Sequence, residues 1–105
     1  MYGQRVPGRS GTDPFYLIVK GRMVPGGSSA FRELERIRKE ADFREIDDFI
    51  RYDDAGRLLP PNRQIRVCGG SRWISVHAQF MALRHLGYDA VVDEPASYAL
   101  DYDGA

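Results

Sequence analysis

One stretch of the sequence, residues 64–92, constrains the fold more than any other part of the chain. Residues 64–68 predict a strand, and the glycine-containing loop at residues 69–73 follows at once. A helix is then expected from residue 74 or 75 to residue 86, ended by Gly87, and residues 90–92 predict another strand. This order is a βαβ unit, whose strands lie parallel and whose crossover is right-handed. Because the helix is apolar on most sides, we expect it to be deeply packed through Ile74, Val76, Ala78, Phe80, Met81, Ala82, Leu83 and Leu86.

The residues before this unit predict one more strand and two helices. Residues 15–19 are a continuous run of aromatic and aliphatic residues, typical of a strand buried on both faces of a parallel sheet. After a turn at residues 25–27, Ser28 or Ser29 can cap a helix over about 30–41. Asp42 and Glu45 have the spacing of a capping box, so a second helix is expected there, ending near residues 53–56. Its apolar stripe would be Phe43, Ile46, Phe49 and Ile50.

The length of 105 residues fits a single domain, because two separate cores would each be too small to be stable. Residues 1–14 are rich in Gly, Pro, Arg and Ser without periodicity, and predict an irregular N-terminal arm. Residues 15–105 are expected to form the domain, with an acidic C-terminal tail from Asp93 onwards. The predicted fold class is therefore α/β, a small parallel sheet flanked by helices.

Charge, cysteine content and hydropathy exclude several classes of protein. Lys and Arg number 15 and Asp and Glu number 15, so the formal net charge is zero, whereas nucleic-acid binders usually carry a basic excess. Cys68 is the one cysteine, so neither an intrachain disulfide nor a zinc-binding cysteine cluster can form. No segment has the roughly 18 to 20 apolar residues of a membrane span, and residues 1–9 lack the apolar core of a signal peptide. We therefore expect a soluble, cytoplasmic protein that binds neither nucleic acid nor membrane.

Cys68 is the strongest candidate for a reactive residue. It lies at the predicted end of a strand, where ligands bind in open α/β sheets, and residues 58–85 carry four Arg and no acidic residue. The N–H groups of the following loop, the positive end of the next helix and Arg72 would favour an anion there, including a thiolate. Gly69 and Gly70 would let the backbone approach the sulfur closely. A second interpretation stays open, in which Cys68 is a small buried hydrophobic residue.

The same region resembles the C-terminal half of a rhodanese, or sulfurtransferase, domain. The residues that carry the resemblance are Leu-Pro-Pro-Asn-Arg-Gln-Ile-Arg-Val-Cys at 59–68, the loop after it, and the stretch from Ser75 to Asp89. Upstream, Gly-Arg-Met-Val-Pro-Gly-Gly at 21–27 is similar to a degenerate copy of that family's Gly-His-Ile-Pro-Gly-Ala segment.

This resemblance implies a rhodanese-like α/β domain that moves a sulfane sulfur. Cys68 would attack the outer sulfur of an anionic donor such as thiosulfate, hold it as a persulfide, and pass it to a thiol or another acceptor. The substrate would be cradled by the loop residues Gly69, Gly70, Ser71, Arg72 and Trp73, with Arg72 attracting the anion. The resemblance implies no metal and no other cofactor.

Several alternatives also bear on this region. A catalytically silent, rhodanese-like module that binds a partner protein is the main one, since the family's Asp-Val-Arg is replaced by the residues at 19–21. A phosphatase loop would need Arg at the position of Ile74, and a nucleotide P-loop would need a Lys followed by Ser or Thr after the glycines. His77 and His85 are too far apart along one helix to share a metal. Trp73 would either line a substrate entrance or cover the core.

Overall fold

The structure, a computed structural model, describes residues 13–99 apart from the side chain of Tyr52. The predicted arm, except for its last two residues, and residues 100–105 of the predicted acidic tail lie outside the described residues. Among the described residues, no helix combines the length and the apolar character that a membrane crossing requires.

The described residues form a four-stranded parallel sheet with helices on both faces, which confirms the predicted α/β class. The strands lie side by side in the order β2-β1-β3-β4. In chain order the elements are β1 (Phe15–Val19), α1 (Ser29–Glu40), β2 (Asp42–Ile46), α2 (Tyr52–Leu58), β3 (Ile65–Gly69), α3 (His77–His85) and β4 (Ala90–Ser97). A π-helical turn, Arg72–Val76, leads directly into α3, and a short 3₁₀ turn, Gly21–Met23, follows β1.

Two apolar clusters hold the layers together, one on each face of the sheet. On one face, alternate residues of β1 and β3 pack with residues of α2 and α3, including Leu17, Val67 and Leu83. On the other face, Ile18 and Cys68 pack with Leu34 and Ile37 of α1. The two central strands are therefore buried on both sides, as the continuous apolar sequence of β1 predicts for that strand.

The prediction of a capping box and helix beginning at Asp42 is wrong, because these residues form the edge strand β2. A capping box needs its carboxylates for backbone N–H groups, and both carboxylates have arginine partners instead. Asp42 pairs with Arg63 at 2.8 Å, and Glu45 pairs with Arg38 at 2.8 Å. The helix occurs later as α2. Asp53 and Asp54 lie in its first turn, where their negative charges interact favourably with the positive end of the helix dipole.

The helix after β3 is present, but the prediction that it is deeply packed on most sides is wrong. Ile74 and Met81 are 56% and 53% exposed, whereas Val76, Gln79 and Leu83 are fully buried. These buried positions are three and four residues apart, so only one stripe of the helix faces the sheet.

The last strand continues beyond the predicted residues 90–92 and ends at Ser97. Its pairing with β3 is interrupted by a bulge, since Val67 pairs with Val92 and Gly69 pairs with Ser97. Asp93 stabilises the bulge: its carboxylate accepts from the N–H of Ala96 at 3.2 Å, and its carbonyl accepts from the Ser97 hydroxyl at 2.7 Å. The first residues of the predicted acidic tail therefore belong to the sheet.

Candidate functional site

The strand order places a crevice at the carboxyl ends of β1 and β3. The chain leaves β1 for β2 on one side and then crosses to β3 on the other side, so the direction of winding reverses between β1 and β3. In open α/β sheets, ligands bind at such a switch point, outside the carboxyl ends of the strands. The residues that directly follow these two strands, Lys20 and the loop from Gly70 to Ser75, are therefore the candidates for function.

Lys20 occupies a left-handed backbone conformation immediately after β1, with φ 52° and ψ 41°. This region is uncommon for residues other than glycine and costs on the order of 1–3 kcal/mol. The surrounding structure fixes both backbone groups: the N–H of Lys20 donates to the carbonyl of Ile46 at 2.8 Å, and its carbonyl accepts from the Tyr98 hydroxyl and the N–H of Met23. The turn that carries the lysine side chain is thus held from β2 and from the end of β4.

The Lys20 ammonium donates a hydrogen bond to the Ser75 hydroxyl, with 3.1 Å between Nζ and Oγ. The two residues are 55 positions apart in sequence and meet only because the fold brings the ends of β1 and β3 together. Both side chains are partly buried, so they lie between the core and solvent. The distance is short enough for proton transfer between a nucleophile and its base.

The position of Ser75 follows from the π-helical turn in front of α3. The N–H of Val76 reaches back to the carbonyl of Ser71 at 2.9 Å, a span of five residues, and the N–H of Ile74 shares the same carbonyl at 3.2 Å. Such π-helical turns are frequent at functional sites. Ser71 is buried, and so anchors the turn that presents Ser75.

Gly69 and Gly70 are both required by close approaches between strands. Gly69 has φ +103°, and a Cβ there would lie 2.0 Å from the carbonyl oxygen of Val19. A Cβ on Gly70 would lie 2.4 Å from the Tyr98 ring. The N–H of Gly70 donates to the Val19 carbonyl at 2.8 Å, and the N–H of Tyr98 donates to the Gly69 carbonyl at 2.9 Å. The glycines therefore join the ends of three strands, which differs from the predicted approach to a sulfur.

Cys68 lies inside the core, and the expectation of an accessible, easily ionised thiol is wrong. Its side chain is fully buried among the residues beneath α1, and Sγ lies 3.7 Å from the carbonyl of Leu17, to which the thiol donates. Burial raises the pKa of the thiol well above its usual value of 9.0, and the negative charges of Asp93 and Glu45 raise it further. The second interpretation of Cys68, as a small buried hydrophobic residue, agrees with this position.

The positive charge expected around Cys68 is largely neutralised by the fold. Three of the four Arg in residues 58–85 pair with acidic residues from other parts of the chain: Arg63 with Asp42, Arg66 with Asp93, and Arg72 with Glu94. Charge counted along a segment therefore does not predict the field at the thiol.

Arg72 and Trp73 begin the π-helical turn that also carries Ser75. The Arg72 guanidinium lies over the Trp73 ring at 4.3 Å and pairs with Glu94, while the N–H of Arg72 donates to the Tyr98 carbonyl at 2.8 Å. Trp73 is 64% exposed, so it does not cover the core. Of the two roles open for Trp73, the position beside an entrance fits this exposure.

The structure thus gathers most of the predicted site residues but separates the predicted nucleophile from them. The residues from Gly69, which ends β3, to Trp73 in the π-helical turn lie at the carboxyl edge, whereas the Cys68 side chain points into the α1 face. The sequence interpretation missed Lys20 and Ser75. Their signal was positional, since each is a reactive side chain just beyond a buried strand that ends at the same edge of a parallel sheet. Within residues 13–99, no group of three or more His, Cys, Asp or Glu side chains could hold a metal.

A search for similar proteins found no matching family model, curated protein or solved structure. The chemistry that this site supports therefore follows from its own geometry.

Proposed function

We propose that this protein is a hydrolase that cleaves an ester or amide through a covalent intermediate, with Ser75 as nucleophile and Lys20 as general base. The observation that carries the proposal is the 3.1 Å contact between Lys20 Nζ and Ser75 Oγ at the switch point of the sheet. Serine–lysine pairs are one of the arrangements by which unrelated folds activate a serine.

The reaction has two steps, acylation of Ser75 and hydrolysis of the acyl group. In each step Lys20 accepts one proton and returns it. The neutral amine of Lys20 accepts the Ser75 hydroxyl proton while Oγ forms a bond to the substrate carbonyl carbon. The resulting ammonium returns this proton to the leaving alcohol or amine as the bond to the carbonyl carbon breaks, which leaves an acyl group on Ser75. Water then attacks the acyl group, again losing a proton to Lys20, and Ser75 recovers its proton as the acid is released.

The fixed backbone on both sides of the pair supports a role in chemistry. Lys20 is held by Ile46 and Tyr98, and Ser75 by the turn anchored at Ser71. The backbone positions from which both reacting side chains extend are therefore fixed, which supports orientation of the pair.

A fluorophosphonate probe tests the proposal without knowledge of the substrate. Ser75 Oγ would form a bond to phosphorus, fluoride would leave, and the hydroxyl proton would pass to Lys20. Intact-mass and peptide mass spectrometry should show one adduct, on Ser75. Its rate of formation should depend on Lys20, because the amine must accept the Ser75 proton as the bond to phosphorus forms.

Three variants separate catalysis from structure. Ser75→Ala should lose the adduct, and Lys20→Arg should slow labelling at least 100-fold, because arginine keeps the charge and the donor but cannot act as a base. Ser29→Ala is the matched control, since Ser29 is exposed at the start of α1 and should not affect labelling. Labelling of Lys20→Arg at the wild-type rate, or no labelling of the native protein at any pH, would overturn the proposal.

Sulfur transfer through Cys68 stays a prediction that the resemblance implies. It would require the thiol to leave its buried position and to ionise against a raised pKa. Incubation with thiosulfate tests it, since a persulfide adds the mass of one sulfur to the protein and is absent in Cys68→Ser. If neither adduct forms, the alternative of a catalytically silent binding module gains support.

A further inference from the structure

A cavity of about 350 Å³ lies on the face of the sheet that carries α2 and α3. Its apolar walls are formed by Phe49 and Ile50, in the loop after β2, and by Ala82 and Leu86 at the end of α3. Arg51 and Asp53 add one charge of each sign to the described lining. This volume lies within the range of about 300–1,000 Å³ typical of small-molecule sites, which are mostly apolar with a few placed polar groups.

Among the described residues of this lining, Gln79 is the uncharged polar one, and only one end of its amide has a partner. Gln79 is fully buried, and its Oε1 accepts from the N–H of Ile50 at 2.7 Å. Because a backbone N–H can pair only with the oxygen, this contact fixes the orientation of the amide. The other end of the amide, Nε2, is buried and has no hydrogen-bond partner among residues 13–99.

A buried donor without an acceptor is rare in folded proteins and calls for an explanation. We infer that the cavity binds a small uncharged molecule with an apolar body and a carbonyl oxygen, which accepts a hydrogen bond from Gln79 Nε2. The apolar walls suit the body of the ligand, and the opposite charges of Arg51 and Asp53 give no net attraction for an ion. The inference is independent of the proposed hydrolase, because neither Lys20 nor Ser75 lines this cavity.

Two probes of nearly the same shape test the carbonyl requirement. Acetophenone carries a carbonyl oxygen, and α-methylstyrene carries a methylene group in its place. In ¹H–¹⁵N NMR titrations of the full chain, acetophenone should give saturable shifts confined to residues 49–53 and 79–86. It should bind about tenfold more tightly than α-methylstyrene, as expected when one buried hydrogen bond is gained.

Two variants make the result decisive. Gln79→Met keeps the length of the side chain but removes the Nε2 donor, together with the acceptor of the Ile50 N–H, so the preference for acetophenone should fall. Ala82→Phe should fill the cavity and remove the saturable shifts for both probes, and it leaves Gln79 and its contact with Ile50 in place. If Gln79→Met does not fold, as judged by the dispersion of its spectrum, Ala82→Phe and the ratio of the two wild-type affinities still decide the matter.

The inference is overturned by any of three results: no saturable shift with acetophenone, equal affinity of the wild type for the two probes, or unchanged binding in Ala82→Phe.

Discussion

Whether a residue lies within a strand or just beyond its end decides which side chains are available for chemistry here. Cys68 is paired with Ile18 in the register of β3 and β1, and both side chains are fully buried under α1. Lys20 and Ser75 follow the ends of the same two strands and remain partly exposed. A reactive atom needs access to a substrate, so the residues after the strands, and not the cysteine inside one, form the candidate pair.

The buried thiol makes the stability of the protein depend on alkaline pH. The pKa of Cys68 is raised well above 9.0 in the folded state, so the unfolded chain ionises first as the pH rises. The unfolded state then binds fewer protons than the folded state, and stability falls. We expect full stability below about pH 8.5, and above it a loss of up to about 1.4 kcal/mol per pH unit from this group alone. Urea denaturation at several pH values measures this loss of stability.

Cys68→Ala provides the control, because lysine and tyrosine side chains also titrate in this range. The difference between wild type and Cys68→Ala should shrink or change sign as the pH rises from 7 to 10. A difference that stays constant with pH would show that the thiol ionises equally well in the folded state, contrary to its burial.

At the scale of elements, β2 shows how a tertiary ion pair overrides a local helix signal. Asp42 at the start of β2 and Arg63 before β3 are both buried, with side chains 5% and 6% exposed and 2.8 Å between Oδ2 and Nη1. Arg63 also donates to the carbonyls of Asp13 at 2.7 Å and Pro14 at 3.2 Å. The arginine thus fixes the starts of β1 and β2 next to β3, and the Asp42 carboxylate is not free to cap a helix.

Removing one partner of the buried Asp42–Arg63 pair should lower the stability of the protein. Asp42→Ala leaves the Arg63 charge in the interior without its carboxylate, and we expect a loss of about 3–5 kcal/mol in the free energy of unfolding. The exposed pair Asp54–Arg57 on α2, at 2.7 Å, is the comparison, and Arg57→Ala should cost less than about 1 kcal/mol. Urea denaturation measures both. Similar losses for the two variants would mean that the buried pair contributes no more than a surface pair.

At the scale of the whole molecule, the sequence predicts the parallel α/β class but not the full sheet. The apolar run of β1 and the βαβ order after residue 64 are local patterns, and both are confirmed. The edge strand β2 is half polar and depends on pairing with β1 and on Arg63, so its sequence alone does not distinguish it from a helix. The end of β4 depends on a bulge held by Asp93, which no periodicity reveals.

Some features of the candidate site can be predicted from local sequence, and others arise only from tertiary contacts. The sequence predicts the glycine-containing turn at the end of β3 and the position of Arg72 and Trp73 after it, because turn chemistry is local. The pairing of Lys20 with Ser75 joins residues 55 positions apart, and it follows only from the strand order and the turn geometry. The neutralisation of the cationic segment by Asp42, Asp93 and Glu94 is likewise a product of tertiary contacts.

Because the sheet separates two apolar clusters, we expect them to contribute independently to stability. Ile37 of α1 belongs to one cluster and Ile65 of β3 to the other, and both are fully buried. Each Ile→Val change removes one methylene group and should lower the free energy of unfolding by about 0.5–1.5 kcal/mol. The double variant should lose the sum of the two within about 0.5 kcal/mol, since sites without shared partners are additive. Urea midpoints of the four proteins test this, and a larger coupling would mean that packing changes pass through the sheet from α1 to α3.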